Sequence, residues 1–252
     1  MKQTYFAVGS TMALFVVTQA VLPTGNSLLL PVLYALLAII LPKWLFSSGT
    51  FQSLPQIKLH VPQPESALLL LLTPLFVMLN FGCSELCLWL GRLLGYANTT
   101  VYEGTWLALL VLHALLPAIT EEMVFRHYLR TWLSPFGKKR TLWLCAIFFA
   151  LLHAPIAMPY ALLAGLFLGI LCETTDTPLY AIFMHLCNNA FSLLLIKNQA
   201  SPLSTYSLMA MAGLAVFGIC TLLILPQGRK QLHHLFHTAT LLWRDTTELQ
   251  HE

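Results

Sequence analysis

An all-α fold is predicted, a polytopic membrane bundle of about eight transmembrane helices with both termini in the cytoplasm. Three features of the sequence predict it. Only 9% of the 252 residues are charged, where a soluble domain carries about 25%. Hydrophobic types make up 58%, the mean hydropathy is +0.74, and these residues gather into long continuous runs rather than the alternating pattern of barrel strands. The lysines and arginines, finally, fall almost entirely on one side once those runs are threaded through a bilayer. A water-soluble enzyme, a disordered chain and a basic nucleic-acid-binding domain are excluded on the same grounds.

The runs follow in order. Tyr5–Leu22 is the first, and the turn residues Pro23 to Asn26 lead into the second, Ser27–Leu41. A polar, proline-dotted stretch separates these from the long run Ala67–Gly95, which contains Pro74, Glu85 and Arg92. Trp106–Thr120, Leu142–Met158, Ala161–Cys172, Leu179–Leu195 and Leu208–Leu225 complete the eight. With the N-terminus inside, Lys2, Lys43, Lys58, Arg126, Arg130, Lys138, Lys139, Arg140, Arg229, Lys230 and Arg244 all fall on the cytoplasmic side. Arg92 and Lys197 are left outside. One membrane domain therefore fills residues 1–252, with a polar tail over about 227–252. That tail reads equally well as an amphipathic surface helix or as a solvated end. The six cysteines sit in apolar runs and behave as small hydrophobes.

Ionisable side chains inside a span are costly, so each needs a reason. Glu85 and Arg92 are seven residues apart on one helical face and read as a structural pair. His113, alone among leucines, reads as an interhelical hydrogen-bonding residue. A third set converges. Glu122 and Arg126 are four apart with the acid first, the favourable order for a helical ion pair. Glu121 points about 100° away from Glu122 and has no cation three or four residues on. His153 lies in the fifth run, and His185 and Asn189 share one face of the seventh. Glu, His and Asn together supply a base for water, donors for an oxyanion and an acid for a leaving amine. Such a site must admit water, so it belongs at the bottom of a cavity. Glu121 near the cytoplasmic end of its span predicts a cavity open to the cytoplasm.

Three segments carry a resemblance. Glu121 to Arg126 reads E-E-x-x-x-R, Phe149 to His153 reads F-x-x-x-H, and His185 to Asn189 reads H-x-x-x-N. In this order and within spans they resemble the CAAX-protease and bacteriocin-processing family (CPBP, or Abi) of intramembrane proteases, related to the CAAX prenyl endopeptidases. The family core corresponds to about residues 106–195. The resemblance implies a catalytic set of Glu121 as water-activating base, His153 and His185 as the histidines that hold the water or the oxyanion, and Asn189 as the completing amide. Glu122 and Arg126 would be the supporting pair. Two positions depart from the common pattern, His127 and Ala150 standing where glycine is frequent, and neither removes a catalytic group.

An intramembrane endopeptidase of glutamate type is thus expected, with no cofactor. If a zinc ion were used, Glu121, His153 and His185 would hold it. The expected partners are the lipid bilayer and a peptide or membrane-protein substrate, with no nucleic acid, and the expected location is a bacterial inner (plasma) membrane. The competing class is a non-catalytic membrane scaffold or bacteriocin-immunity-type protein with the same fold. A transporter would more often show two related halves with broken helices, and the sequence has no internal repeat.

Overall fold

The computed structural model describes residues 2–21, 40, 60–96, 104–198 and 202–243. Within them the chain forms eight helices: α1 (Lys2–Val21), α2 (Pro64–Leu93), α3 (Trp106–Phe136), α4 (Lys138–Leu151), α5 (Met158–Thr175), α6 (Leu179–Lys197), α7 (Pro202–Ile224) and α8 (Pro226–Trp243). Five of these, α2, α3, α5, α6 and α7, are long and apolar enough to cross a membrane. The chain is an integral membrane protein. The second apolar run expected from the sequence, Ser27–Leu41, lies outside the described residues apart from Ile40, as do Lys43, Lys58 and Arg244.

Prolines and their missing N–H groups shape the two longest helices. In α2 the first nine residues wind tightly as a 3-10 helix and the remainder is α-helical from Thr73. Pro74 marks the change. It cannot donate to the carbonyl of Leu70, and Thr73 takes over, its Oγ1 donating to Leu70 O at 2.6 Å. In α3 the ring of Pro117 faces the carbonyl of His113, four residues back. The helix relieves the clash by widening into a π turn over Val111–Leu115, where Leu116 N–H bonds to Val111 O. A second π stretch, Met123–Leu129, follows the paired glutamates. Both wide turns lie in the helix that carries Glu121 and Glu122, as such turns often do at functional sites.

The fifth run does not form the single span expected. Helix α4 stops at Leu151, and residues 152–157 turn back into α5. Fourteen residues rise only about 21 Å, short of the roughly 30 Å hydrocarbon core. The cause is Ala154-Pro155, since proline excludes the preceding residue from helical geometry. His153 therefore sits on a turn and not within a helix. The hairpin's two helices pack closely: a Cβ at Gly165 would meet Ala146 Cα and the Phe149 ring, each at 3.3 Å.

Two apolar clusters hold the bundle. One joins Leu69, Phe76 and Val77 of α2 to Leu168 and Leu171 of α5 and Met184 of α6. The other joins Val124, Phe125 and Leu129 of α3 to Phe149 of α4 and Ala161 of α5. Outward leucines and phenylalanines such as Leu214, Phe217 and Leu163 are exposed, as lipid-facing residues are. The bundle has two distinguishable ends. Arg130 meets Glu173 and Asp176, His60 pairs with Asp176, and Ala7 packs on Trp132; these contacts gather the starts of α1, α2, α4 and α6 with the ends of α3 and α5. Lys197 Nζ donates to Gly104 O at 3.0 Å, which places the end of α6 beside the start of α3 at the other end. The polar tail predicted from residue 227 is largely helical: α8 buries Leu235 and Leu242 and returns to the first end, where Lys139 donates to Trp243 O.

Candidate active site

The deepest charged group is the Glu122–Arg126 pair. Arg126 Nε lies 3.1 Å from Glu122 Oε2, with the side chains 2% and 0% exposed. The i,i+4 spacing brings them together, and burial keeps water from competing. Arg126 also reaches Gly165 O through Nη2 at 3.4 Å, and its guanidinium carbon stands 4.4 Å above the Phe149 ring.

Glu122 has a second partner. Its Oε1 is 2.8 Å from His185 Nδ1. A carboxylate paired with an arginine offers only acceptor oxygens, so Nδ1 carries the hydrogen and donates. This fixes the imidazole and turns Nε2 towards Glu121, whose Oε2 is 3.9 Å away. That separation is too long for a direct hydrogen bond. Glu121 Oε2 is buried and has no hydrogen-bond partner, an orphaned acceptor of the kind that folded proteins rarely tolerate without a use.

His153, on its turn, is oriented by its own helix end: Nδ1 donates to Phe149 O at 2.8 Å, leaving Nε2 for other work. Phe149 is the common neighbour. Its ring centroid is 4.7 Å from that of His153 and 5.9 Å from that of His185, edge to face in the second case. One aromatic side chain thus spaces the arginine and both histidines. The sequence motif contained Phe149, but its role as a spacer becomes visible only in three dimensions.

His153, His185 and Asn189 line one cavity of about 740 Å³. Glu121, Glu122 and Arg126 stand behind its wall, with the Glu121 side chain 13% exposed. Within the described residues no three His, Cys, Asp or Glu side chains are grouped to hold a metal ion. Glu85 and Arg92, expected to pair, both line the cavity, and no ion pair within 4 Å joins them. His113 lines it as well.

The direction of the cavity corrects the expectation that it opens towards the basic side. It runs from Phe76, Leu168 and His185 at mid-bundle to Arg92, Tyr96 and Ile196. That is the end opposite Lys138, Lys139 and Arg140. The physical reason is the short α4: its turn at 152–157 contributes His153, Ala154 and Ile156 to the cavity wall, and the hollow lies beside it. Two further amides line it, Asn80 of α2 and Asn188 of α6, the latter beside Asn189. Asn80, a lone asparagine in its span, gives no sequence signal of this kind.

Residues 103–191 match a family model described as type II CAAX prenyl endopeptidase Rce1-like. No curated protein and no solved structure matches the chain. The matched segment contains Glu121, Glu122, Arg126, His153, His185 and Asn189, and excludes α1, α2, α7 and α8. Over that segment the chain is similar to the Rce1-like type II CAAX prenyl endopeptidases, the CAAX-protease grouping that its three motifs resemble.

Proposed function

We propose that the protein is an intramembrane endopeptidase in which Glu121 activates the attacking water. The observation that carries this is the orphaned Glu121 Oε2 facing His185 Nε2 across 3.9 Å. A water donating one hydrogen to each atom fits that separation, since two ordinary hydrogen bonds at a near-right angle span about this distance. Its lone pair then points towards the cavity. Glu121 takes the proton as the water oxygen bonds to the scissile carbonyl carbon. The Asn189 amide is the donor for the oxyanion that forms, and His153 joins it when its ring carries both hydrogens, Nδ1–H to Phe149 O and Nε2–H to the oxyanion. The carbon–nitrogen bond then breaks, and Glu121 returns its proton to the leaving amine. One peptide bond and one water become a carboxylic acid and an amine. Glu122 and Arg126 touch no reacting atom; they hold His185.

The cavity volume lies within the range of small-ligand pockets, about 300–1,000 Å³, so it accepts an extended stretch of chain and not a folded domain. The family description names prenylated substrates for those relatives. The wall formed here by Phe76, Phe81, Leu168 and Leu208 suits an isoprenoid or an apolar peptide segment.

The test compares Glu121→Gln with wild type in cells at matched abundance, reading new membrane-protein termini by mass spectrometry. Termini present only with wild type are expected, with cleavage reduced about 10²–10⁴-fold in the variant. Identical terminal maps would reject the protease in favour of a non-catalytic scaffold.

A further inference from the structure

We propose that Asn80, on α2 and outside the matched segment, is a positioning residue that sets which end of the Asn189 amide faces the substrate. The proposal rests on the protease reading above. Three amides stand in a row. Asn80 Nδ2 donates to Asn188 Oδ1 at 2.9 Å, and Asn188 Nδ2 donates to Asn189 Oδ1 at 3.3 Å. All three line the cavity.

A primary amide is polar along its length, with an acceptor at one end and two donors at the other. Three in a head-to-tail row therefore have a direction. In the observed direction the oxygen of Asn189 is occupied by Asn188, and its NH₂ is left for the cavity. Run backwards, the same row would spend the Asn189 NH₂ on Asn188 and present a carbonyl oxygen instead. An oxyanion requires the first and is repelled by the second. Bonds in such a row polarise one another, more strongly in surroundings that exclude water. Asn80 is the residue at the start of the row, donating to Asn188 from a different helix.

A purely structural role for Asn80, joining α2 to α6, makes different predictions. Asn80→Asp preserves shape but, when ionised, can only accept. It takes a hydrogen from the Asn188 amide and reverses the row. Asn80→Leu removes the bond without imposing a direction. Asn188→Asp breaks the row at its centre, accepting from both neighbours, and serves if the Asn80 variants fold poorly. The assay uses an internally quenched peptide spanning a cut site recovered from wild-type membranes, with rates normalised to folded enzyme.

Asn80→Asp and Asn188→Asp are expected to lower kcat about 10²–10³-fold with KM within about threefold, the scale of losing one oxyanion donor. Asn80→Leu should fall between Asn80→Asp and wild type. The ratio of Asn80→Asp to wild type should rise as pH falls, because a protonated carboxyl regains an O–H donor. Glu85, Arg92, His113, His153 and His185 share the cavity in both proteins, and Asn80→Leu, measured at each pH, supplies the reference without a titrating group at residue 80. Equal losses for Asp and Leu with a flat ratio would overturn the row and leave a structural contact. Glu121→Gln and Asn189→Ala run alongside: full activity in both would sink the Glu121 and Asn189 roles on which the proposal rests, whereas their inactivity with a normal Asn80→Asp would sink only the row.

Discussion

The two ends of the bundle solve the problem of polar groups in a membrane in opposite ways. At one end the charges are paired. Arg130 lies 2.5 Å from Glu173 and 3.2 Å from Asp176, Lys138 lies 3.6 Å from Glu173, and α8 returns to this end. At the other end Glu85, Arg92, Tyr96 and His153 line a cavity. Lys197 is there the tied cation, held by Gly104 O and the Trp106 ring. At the paired end the charges satisfy one another. The hollow end leaves polar side chains facing a cavity, at a cost in packing. His185 stands between them, tied to the paired side through Nδ1 and exposed to the hollow side through its ring.

The positive-inside rule predicts the paired end at the cytoplasm, because Lys138, Lys139 and Arg140 share one short loop and its neighbourhood. On that prediction the hollow end faces the opposite compartment. In a cysteine-free background, Tyr96→Cys should react with a membrane-impermeant maleimide in intact cells. Arg140→Cys should react only after permeabilisation. The effect is all or none, and the reverse labelling would put the cavity on the cytoplasmic side and break the link between basic loop and sealed end.

One residue type in both settings gives the next largest contrast. Arg126→Met strands Glu122 as an uncompensated buried charge, and stability should fall by about 3–5 kcal/mol. Arg92→Ala, at the hollow end, removes an exposed cation with no packing role and should change stability by no more than about 0.5 kcal/mol. Unfolding in detergent micelles measures both. Similar losses for the two variants would mean that the hollow end is as tightly built as the paired one.

How much of this was legible in the sequence depends on range. The Glu122–Arg126 contact follows from spacing along one helix, and so does the shared face of His185 and Asn189. The apolar runs located α2, α3, α6 and α7 because length and composition suffice for a span. The break after Leu151 carried a signal, Ala154-Pro155, that the continuing apolar residues obscured. The cavity's direction carried none, since it depends on how short α4 is relative to its neighbours. The Asn80–Asn188 contact joins residues 108 apart in sequence, and no local pattern reports such a pair. Glu85 and Arg92 show the reverse: their spacing permits a pair, direct or through a water, and no direct ion pair forms where both line the hollow.

The smallest effect tests the rim of the paired end. Asp176 closes α5 in a left-handed conformation, φ 51°, between the membrane-spanning segments. Partial burial alone would raise its pKa, but the hydrogen bonds from His60 and Arg130 and the charge of Arg130 outweigh it and hold the carboxyl below its ordinary value. A carboxylate whose pKa is depressed on folding adds stability that is fully present above the unfolded value, near 3.9, and is lost as pH falls through the folded one. Both side chains of the His60 contact are more than half exposed, so solvent screening limits the contribution to about 0.2–1 kcal/mol. Wild type should therefore melt slightly above Asp176→Asn at pH 7 and pH 5. The gap should close as pH is taken below about 4. A gap that stays constant down to pH 3 would mean that the difference comes from the turn's backbone geometry and not from the charges that seal this end.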